Sequence, residues 1–170
     1  MASDPQLTPL ILGLGVMGFP MAGHLALAGH QVTVYNRSAP KAAAWVAEFK
    51  GASAATPREA AQGADFVFCC VGNDDDLRSV TLGANGAFAG MKAGAVLVDH
   101  TTASADVARE LSGAAQVLGL QFVDAPVSGG AMGAHSGRLA VMAGGSVAAV
   151  ERCRPVFSAW ADLVVHTGEV

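Results

Sequence analysis

Along this chain, short compact apolar runs alternate with longer alanine-rich stretches whose apolar positions recur at helical spacing, almost to the end. Residues 10–12, 31–35, 52–54, 65–71, 95–99, 120–124, 139–143 and 163–166 read as strands. The run Asp65-Phe66-Val67-Phe68-Cys69-Cys70-Val71 is the clearest buried one, and Gln31-Val32-Thr33-Val34-Tyr35 is rich in β-branched residues. Residues 16–28, 40–49, 74–82, 104–118 and 146–159 read as helices, with a further one opened by Thr56-Pro57. Pro40 suits a first helical turn and Gly51 a helix stop, whereas Pro155, inside the last helix, is expected to kink it. A glycine-rich loop separates the strands at 120–124 and 139–143. Runs that are apolar throughout belong to sheets covered on both faces, so the pattern predicts a doubly wound, mostly parallel α/β sheet. It is expected to occupy residues 1–170 as one domain without repeat or linker, with residues 1–8 a flexible tail.

A chain of 170 residues can bury roughly 70% of its unfolded surface without disulfide or metal staples. Hydrophobic residues make up 52% and charged ones only 14%, so some apolar surface is expected to face a partner domain or subunit. The net charge of −4 lacks the basic footprint of a nucleic-acid binder, which excludes that class. Residues 9–28 imitate a signal peptide or membrane span. Yet no Lys or Arg precedes Arg37, and four glycines and Pro20 interrupt the stretch, so neither leader nor membrane is expected. Cys69, Cys70 and Cys153 are odd in number and lack CxxC spacing; they read as core thiols of a reducing, cytoplasmic compartment.

Candidate chemistry starts at Gly13-Leu14-Gly15-Val16-Met17-Gly18, three glycines at GxGxxG spacing between the first strand and the first helix. Glycine is common in this chain, 21 in all, but strand, turn and helix fall where a dinucleotide fingerprint requires them. Gly13 is expected to allow the tight turn, Gly15 the approach of a pyrophosphate, and Gly18 close packing of helix on strand. The free N–H groups of the helix start would then face the phosphates. The position about 20 residues on, where an NAD-selective site places Asp or Glu for the ribose 2′-hydroxyl, holds Asn36. Arg37, Ser38 and, one helical turn later, Lys41 supply donors to a 2′-phosphate, which favours NADP(H) over NAD(H). An Arg37 that merely stacks on adenine would leave the choice open. Val71, Gly72 and Asn73 end a strand at the carboxyl edge of the sheet, where cofactor contact is expected.

In Asp124-Ala125-Pro126-Val127-Ser128-Gly129-Gly130, the proline fixes the chain's approach and the Ser128 hydroxyl and Gly129 and Gly130 N–H groups form a nest suited to a carboxylate. Taken alone, Ser-Gly-Gly is an ordinary flexible loop. Asp74, Asp75 and Asp76 at a helix start cap and complement the dipole more readily than they bind metal, so no metal site is expected. His100 and His135 fall near the expected cleft and could shuttle protons, yet neither has an orienting carboxylate in sequence, which argues against a catalytic histidine; His24, His30 and His166 read as turn or surface residues. No GxSxG surrounds Ser128, which argues against a hydrolase triad.

Together the glycine segment running through Phe19-Pro20-Met21-Ala22, the turn Asp99-His100-Thr101-Thr102, and residues 124–130 continuing through Gly133-Ala134 to Gly137-Arg138-Leu139 resemble the β-hydroxyacid dehydrogenase family. The family includes 3-hydroxyisobutyrate dehydrogenase, tartronate semialdehyde reductase and glyoxylate and succinic semialdehyde reductases. The resemblance implies a Rossmann-like cofactor domain that passes hydride between the nicotinamide and a small hydroxy acid or semialdehyde. It also implies cofactor contacts from Thr101 and Thr102, substrate contacts from Thr102, Ser128, Gly129 and Gly130, and homo-oligomers built through an all-helical second domain. Imine reductases share the architecture. The family's proton-transferring lysine lies in a GxGxxxK motif followed by Asn; the tail from Val165 to Val170 looks like its lead-in, and Lys41, Lys50 and Lys92 do not correspond to it. Because a positioned general acid contributes typically 10²- to 10⁴-fold, the chain alone is expected to bind cofactor but turn over poorly. A non-catalytic NADP-binding or interaction module of the same fold is the alternative.

Overall fold

A computed structural model of the chain describes residues 6–170. Nine strands form one sheet: β1 (Pro9–Leu12), β2 (Thr33–Tyr35), β3 (Ala52–Ser53), β4 (Phe66–Cys69), β5 (Val96–Asp99), β6 (Gln121–Asp124), β7 (Val127–Ser128), β8 (Leu139–Gly144) and β9 (Ala161–Gly168). Their order is β3-β2-β1-β4-β5-β6-β8-β7, with β9 on the free side of β8. All pairs from β3 to β6 are parallel; β8 runs antiparallel to β6 and β7, and β9 follows β8. The helices are α1 (Gly18–Leu27), α2 (Ala39–Phe49), α3 (Pro57–Ala61), α4 (Asp74–Thr81), α5 (Ala105–Val117), α6 (Gly130–Ser136) and α7 (Val147–Phe157). This is the doubly wound, mostly parallel arrangement expected, with a reversed end at β8 and β9.

Successive strand residues point to opposite faces. Leu10, Leu12, Val67 and Leu97 therefore pack with Leu77 of α4 and Val107 and Leu111 of α5. Ile11, Phe68, Val98 and Val123 pack on the other face with Met21 and Leu25 of α1, Trp45 of α2 and Val150 and Phe157 of α7. With both faces covered, the strands need no polar alternation. Helix starts follow side-chain chemistry: Thr56, Asn73, Ser104 and Ser146 each accept the N–H three residues on, at 3.1, 2.9, 3.1 and 3.1 Å. No helix among the described residues is long and apolar enough to cross a membrane.

The glycine-rich loop departs from expectation, for it contains β7 and α6. Glycine disfavours a helix and hides its apolar period; α6 is held instead from outside, where His24 Nε2 of α1 donates to Ala134 O at 2.8 Å and His135 O at 3.0 Å. His24 is thus a bridge between helices rather than a surface residue. The first helix begins at Gly18 and not at residue 16, because Gly15, Val16 and Met17 form the turn before it. α7 passes unbroken through Pro155 in its last turn. Residues 1–5 of the expected tail lie outside the described residues; Gln6, Leu7 and Thr8 are tied to Gly29, His30 and Asp65.

At the end of β5, two neighbouring residues enter opposite environments. His100 stacks on Phe68 with centroids 5.8 Å apart and rings 2° from parallel, and Trp160 and Phe157 meet it edge-on. Its Nδ1 donates to Ala125 O at 2.6 Å, Nε2 has no partner among the described residues, and burial pushes its pKa down to about 4. His100 is therefore a neutral core ring, in keeping with the argument against a catalytic histidine. Asp99 lies in register with Asp124 of β6, and its Oδ1 accepts the Thr101 N–H at 2.9 Å while Oδ2 has no partner among the described residues. Burial is the largest influence and raises it to about 6; the Thr101 bonds oppose that rise, and the Asp124 charge adds to it.

Trp160 is fully buried against Phe68, with centroids 5.0 Å apart, and its Nε1 lacks a partner among the described residues. Trp160→Ala is expected to cost about 3–5 kcal/mol in urea unfolding, and Trp160→Phe distinctly less, because it fills most of the space and buries no orphan donor. The two titrating groups pull stability in opposite senses. His100, lowered from 6.5 to about 4, takes its proton first in the unfolded chain, so its contribution is lost as pH falls through that window. Asp99, raised from 3.8 to about 6, binds its proton more tightly when folded, so its contribution is lost as pH rises through that window. Unfolding free energy of the unaltered chain minus that of Asp99→Asn should accordingly decline from pH 4 to 6 and then level off; a rise would contradict the assignment.

Candidate dinucleotide site

Strand order runs outward in both directions from the boundary between β1 and β4, which leaves a crevice beyond their carboxyl ends, the switch point where ligands of open α/β sheets bind. Three backbone segments meet there at a distance that only glycine permits. Gly13 has φ +98°, and a Cβ on it would collide with Cys70 O; a Cβ on Gly18 would collide with Gly13 O. The Gly13 N–H donates to Tyr35 O at 2.9 Å, binding the turn to the end of β2. Around Gly15 nothing lies within 4 Å of where a Cβ would stand. The N–H groups of Gly15, Val16 and Met17 have no backbone acceptor among the described residues. A concave turn with open donors at a helix start fits an anion, and the cradle is one a side chain on Gly15 would fill.

The turn opens into a cavity of about 750 Å³. Leu14, Val16, Met17 and the three glycines form one wall; Tyr35, Asn36, Arg37, Ser38 and Lys41 form a second; Cys70, Val71 and Gly72 form a third. Ala55, Thr56, Pro57, Asp76, Ser79, Val80 and Asn85 complete it and were not legible as site residues, since nothing in their local sequence marks them as such. Asn36 lines the second wall, and its side-chain amide is bonded within the protein. Its Oδ1 accepts the Leu14 N–H at 2.9 Å and its Nδ2 donates to Ser38 O at 3.1 Å, so the side chain braces the glycine turn. Arg37 and Ser38 are exposed, and the Arg37 guanidinium lies 3.5 Å from the Asp76 carboxylate.

Asn73 caps α4 through its side chain and lies outside the cavity lining. The three aspartates after it diverge: Asp74 accepts the Ser104 N–H at 2.8 Å, Asp75 pairs with Arg78 at 3.2 Å, and Asp76 turns to Arg37. No cluster of metal-ligating side chains occurs among the described residues. Thr101 is buried, and its Oγ1 accepts the Val71 N–H at 3.1 Å, joining the turns after β4 and β5; Thr102 is exposed. Ser128, exposed at the end of β7, leads into Gly129 and Gly130, both at positive φ, at the start of α6. Thr102, Ser128, Gly129 and Gly130 form no part of the cavity's lining. His135 is exposed. Burial raises the Cys70 thiol to about 11 and Cys153 to about 12, and pushes Cys69 well above its ordinary range, so all three are inert thiols near neutrality.

Residues 10–168 match the family described as the NAD binding domain of 6-phosphogluconate dehydrogenase. An uncharacterized oxidoreductase of Shewanella frigidimarina is 60% identical over 159 residues, which cover 94% of this chain and 55% of that protein. The mitochondrial 3-hydroxyisobutyrate dehydrogenase-like protein 1 of Arabidopsis thaliana is 44% identical over 149 residues, 86% of this chain and 44% of its own length. The structure of Mycobacterium tuberculosis 3-hydroxyisobutyrate dehydrogenase with L-serine superposes with a TM-score of 0.91 at 33% identity, over 98% of this chain and 56% of that one. The chain spans about half the length of the curated relatives it matches. Glycine turn, switch-point cavity and sequence agree: the chain belongs to the family of the NAD binding domain of 6-phosphogluconate dehydrogenase.

Proposed function

We propose that this domain holds NADP(H) in preference to NAD(H) and serves hydride transfer between that cofactor and a small carboxylate-bearing hydroxy acid or its semialdehyde. The observation that carries the reading is the open donor turn at Gly15, Val16 and Met17 beside a wall with two cations, Arg37 and Lys41, in one cavity. The turn takes the pyrophosphate, and Arg37, Ser38 and Lys41 take the 2′-phosphate. Asn36 acts one step back, by holding Leu14 and Ser38 in place. The bound cofactor supplies the hydride; Thr102, Ser128 and the N–H groups of Gly129 and Gly130 orient the substrate carboxylate. L-Serine in the mycobacterial relative is a ligand of that chemical class.

Proton transfer is assigned by the family resemblance to a lysine with no counterpart among Lys41, Lys50 and Lys92. Lys92 is paired with Asp65 at 2.6 Å and the Lys50 Nζ donates to Ala47 O at 2.9 Å. Neither lines the cavity. The domain's own part is to bind and orient.

Fluorescence titration with NADPH and NADH tests the reading. Arg37→Ala is expected to weaken NADPH on the order of tenfold and NADH by less than about twofold, as loss of one charge-assisted phosphate contact requires. Asn36→Ala, which frees the Leu14 N–H and loosens the turn, should weaken both nucleotides by similar factors. Failure of the unaltered folded chain to bind either nucleotide would overturn the proposal.

A further inference from the structure

We infer that Asp76 is a cofactor-specificity residue, a carboxylate delivered from α4 to the ribose end of the cavity that opposes a 2′-phosphate and holds Arg37 away from it. The inference rests on the reading of the cavity as a dinucleotide site. Its starting point is the missing acid after β2: Asn36 stands there, and its amide is spent on the glycine turn. The fold restores a carboxylate from a different element. Asp76 is the sole acidic residue among the described residues lining the cavity, and its Oδ1 lies 3.5 Å from the Arg37 guanidinium.

The two partners are unequally fixed. The Asp76 N–H is held by Asn73 Oδ1 at 2.9 Å in the first turn of α4, where the helix dipole favours a negative charge. Its Oδ2 lies close enough to Gly72 that a Cβ there would stand 2.7 Å from it. The Asp76 side chain is 33% exposed, whereas that of Arg37 is 88% exposed and has this one charged partner. Arg37 is the partner that can swing. Asp74 and Asp75 do not share the role, since they bond Ser104 and Arg78.

Two consequences follow for a dinucleotide in this cavity. A 2′-phosphate must draw Arg37 off Asp76 and then lie beside the carboxylate left uncovered, a repulsion worth several-fold in affinity at such distances. A 2′-hydroxyl meets no such opposition and finds in Asp76 an acceptor. The preference set by Arg37, Ser38 and Lys41 is thereby narrowed, and the domain accepts both cofactors more evenly than those cations alone would dictate. The pair itself is exposed and adds little to folding, so removing it leaves the scaffold intact.

Asp76→Asn keeps the shape and removes the charge. In titrations of the 170-residue chain it should tighten NADPH by roughly five- to tenfold, leave NADH within about twofold, and show a gain that shrinks at high salt. Asp76→Ser, which cannot bridge to Arg37, should move the ratio of the two dissociation constants in the same direction, with thermal unfolding confirming that both variants are folded. An unchanged ratio in both variants, or equal tightening of the two nucleotides, would overturn the inference while leaving the dinucleotide site standing. Absence of binding by the unaltered chain would overturn the site reading and this inference with it.

Discussion

Everything at the carboxyl edge of the sheet depends on three backbone segments meeting without side chains between them. Gly18 at the head of α1 rests on the carbonyl of Gly13, and Gly13 rests on the carbonyl of Cys70 at the end of β4. A methyl group at either contact would force the helix off the strand or β1 off β4, and a close-packed interior yields little to such a wedge. The contact also fixes where the unbonded donors point. Because α1 begins only at Gly18, the three residues before it lie on the wall of the crevice with N–H groups that have no backbone acceptor among the described residues. The same crossing that allows the core to close thus creates the anion cradle.

What surrounds that cradle is held by polar side chains doing positional duty. Asn36 ties the glycine turn to β2, and Thr101 ties the turn after β5 to the one after β4. Thr101 is itself set by Asp99, whose carboxylate is buried at the end of a strand where its neighbour in register is another aspartate. Such a carboxylate is costly to bury. It is retained where it fixes the turn that carries Thr101 and Thr102, and on the opposite face His100 is locked neutral among aromatic rings to anchor the same turn.

Much of this was legible in the sequence where a rule of period or spacing applies. Uninterrupted apolar strands showed the two-faced sheet, and GxGxxG between strand and helix marked the turn. Where spacing is silent the reading fell short. Asn36 occupies the position of a ligand residue, and only the structure shows that its amide also ties Leu14 to Ser38. α6 was hidden because glycine erases the helical period, its support coming from His24 on a distant helix. Asp76 read as one of three equivalent acids at a helix start, since nothing local distinguishes the face that meets β2 from the face that meets α5.

The acids near the crevice show how such a site can be both built on carboxylates and suited to anions. Four aspartates gather along this edge, at 74, 76, 99 and 124, where phosphates and a substrate carboxylate are proposed to sit. Asp74 is saturated by the N–H and hydroxyl of Ser104, which hold its pKa low and its charge turned toward α5. Burial shifts Asp99 and Asp124 the other way, toward the protonated form, and so weakens their opposition to an incoming anion as pH falls. Of the four, only Asp76 lines the cavity itself among the described residues, and Arg37 is its ion-pair partner. The balance of charge over the crevice therefore turns on one residue, and it is the one whose partner a phosphate can take away.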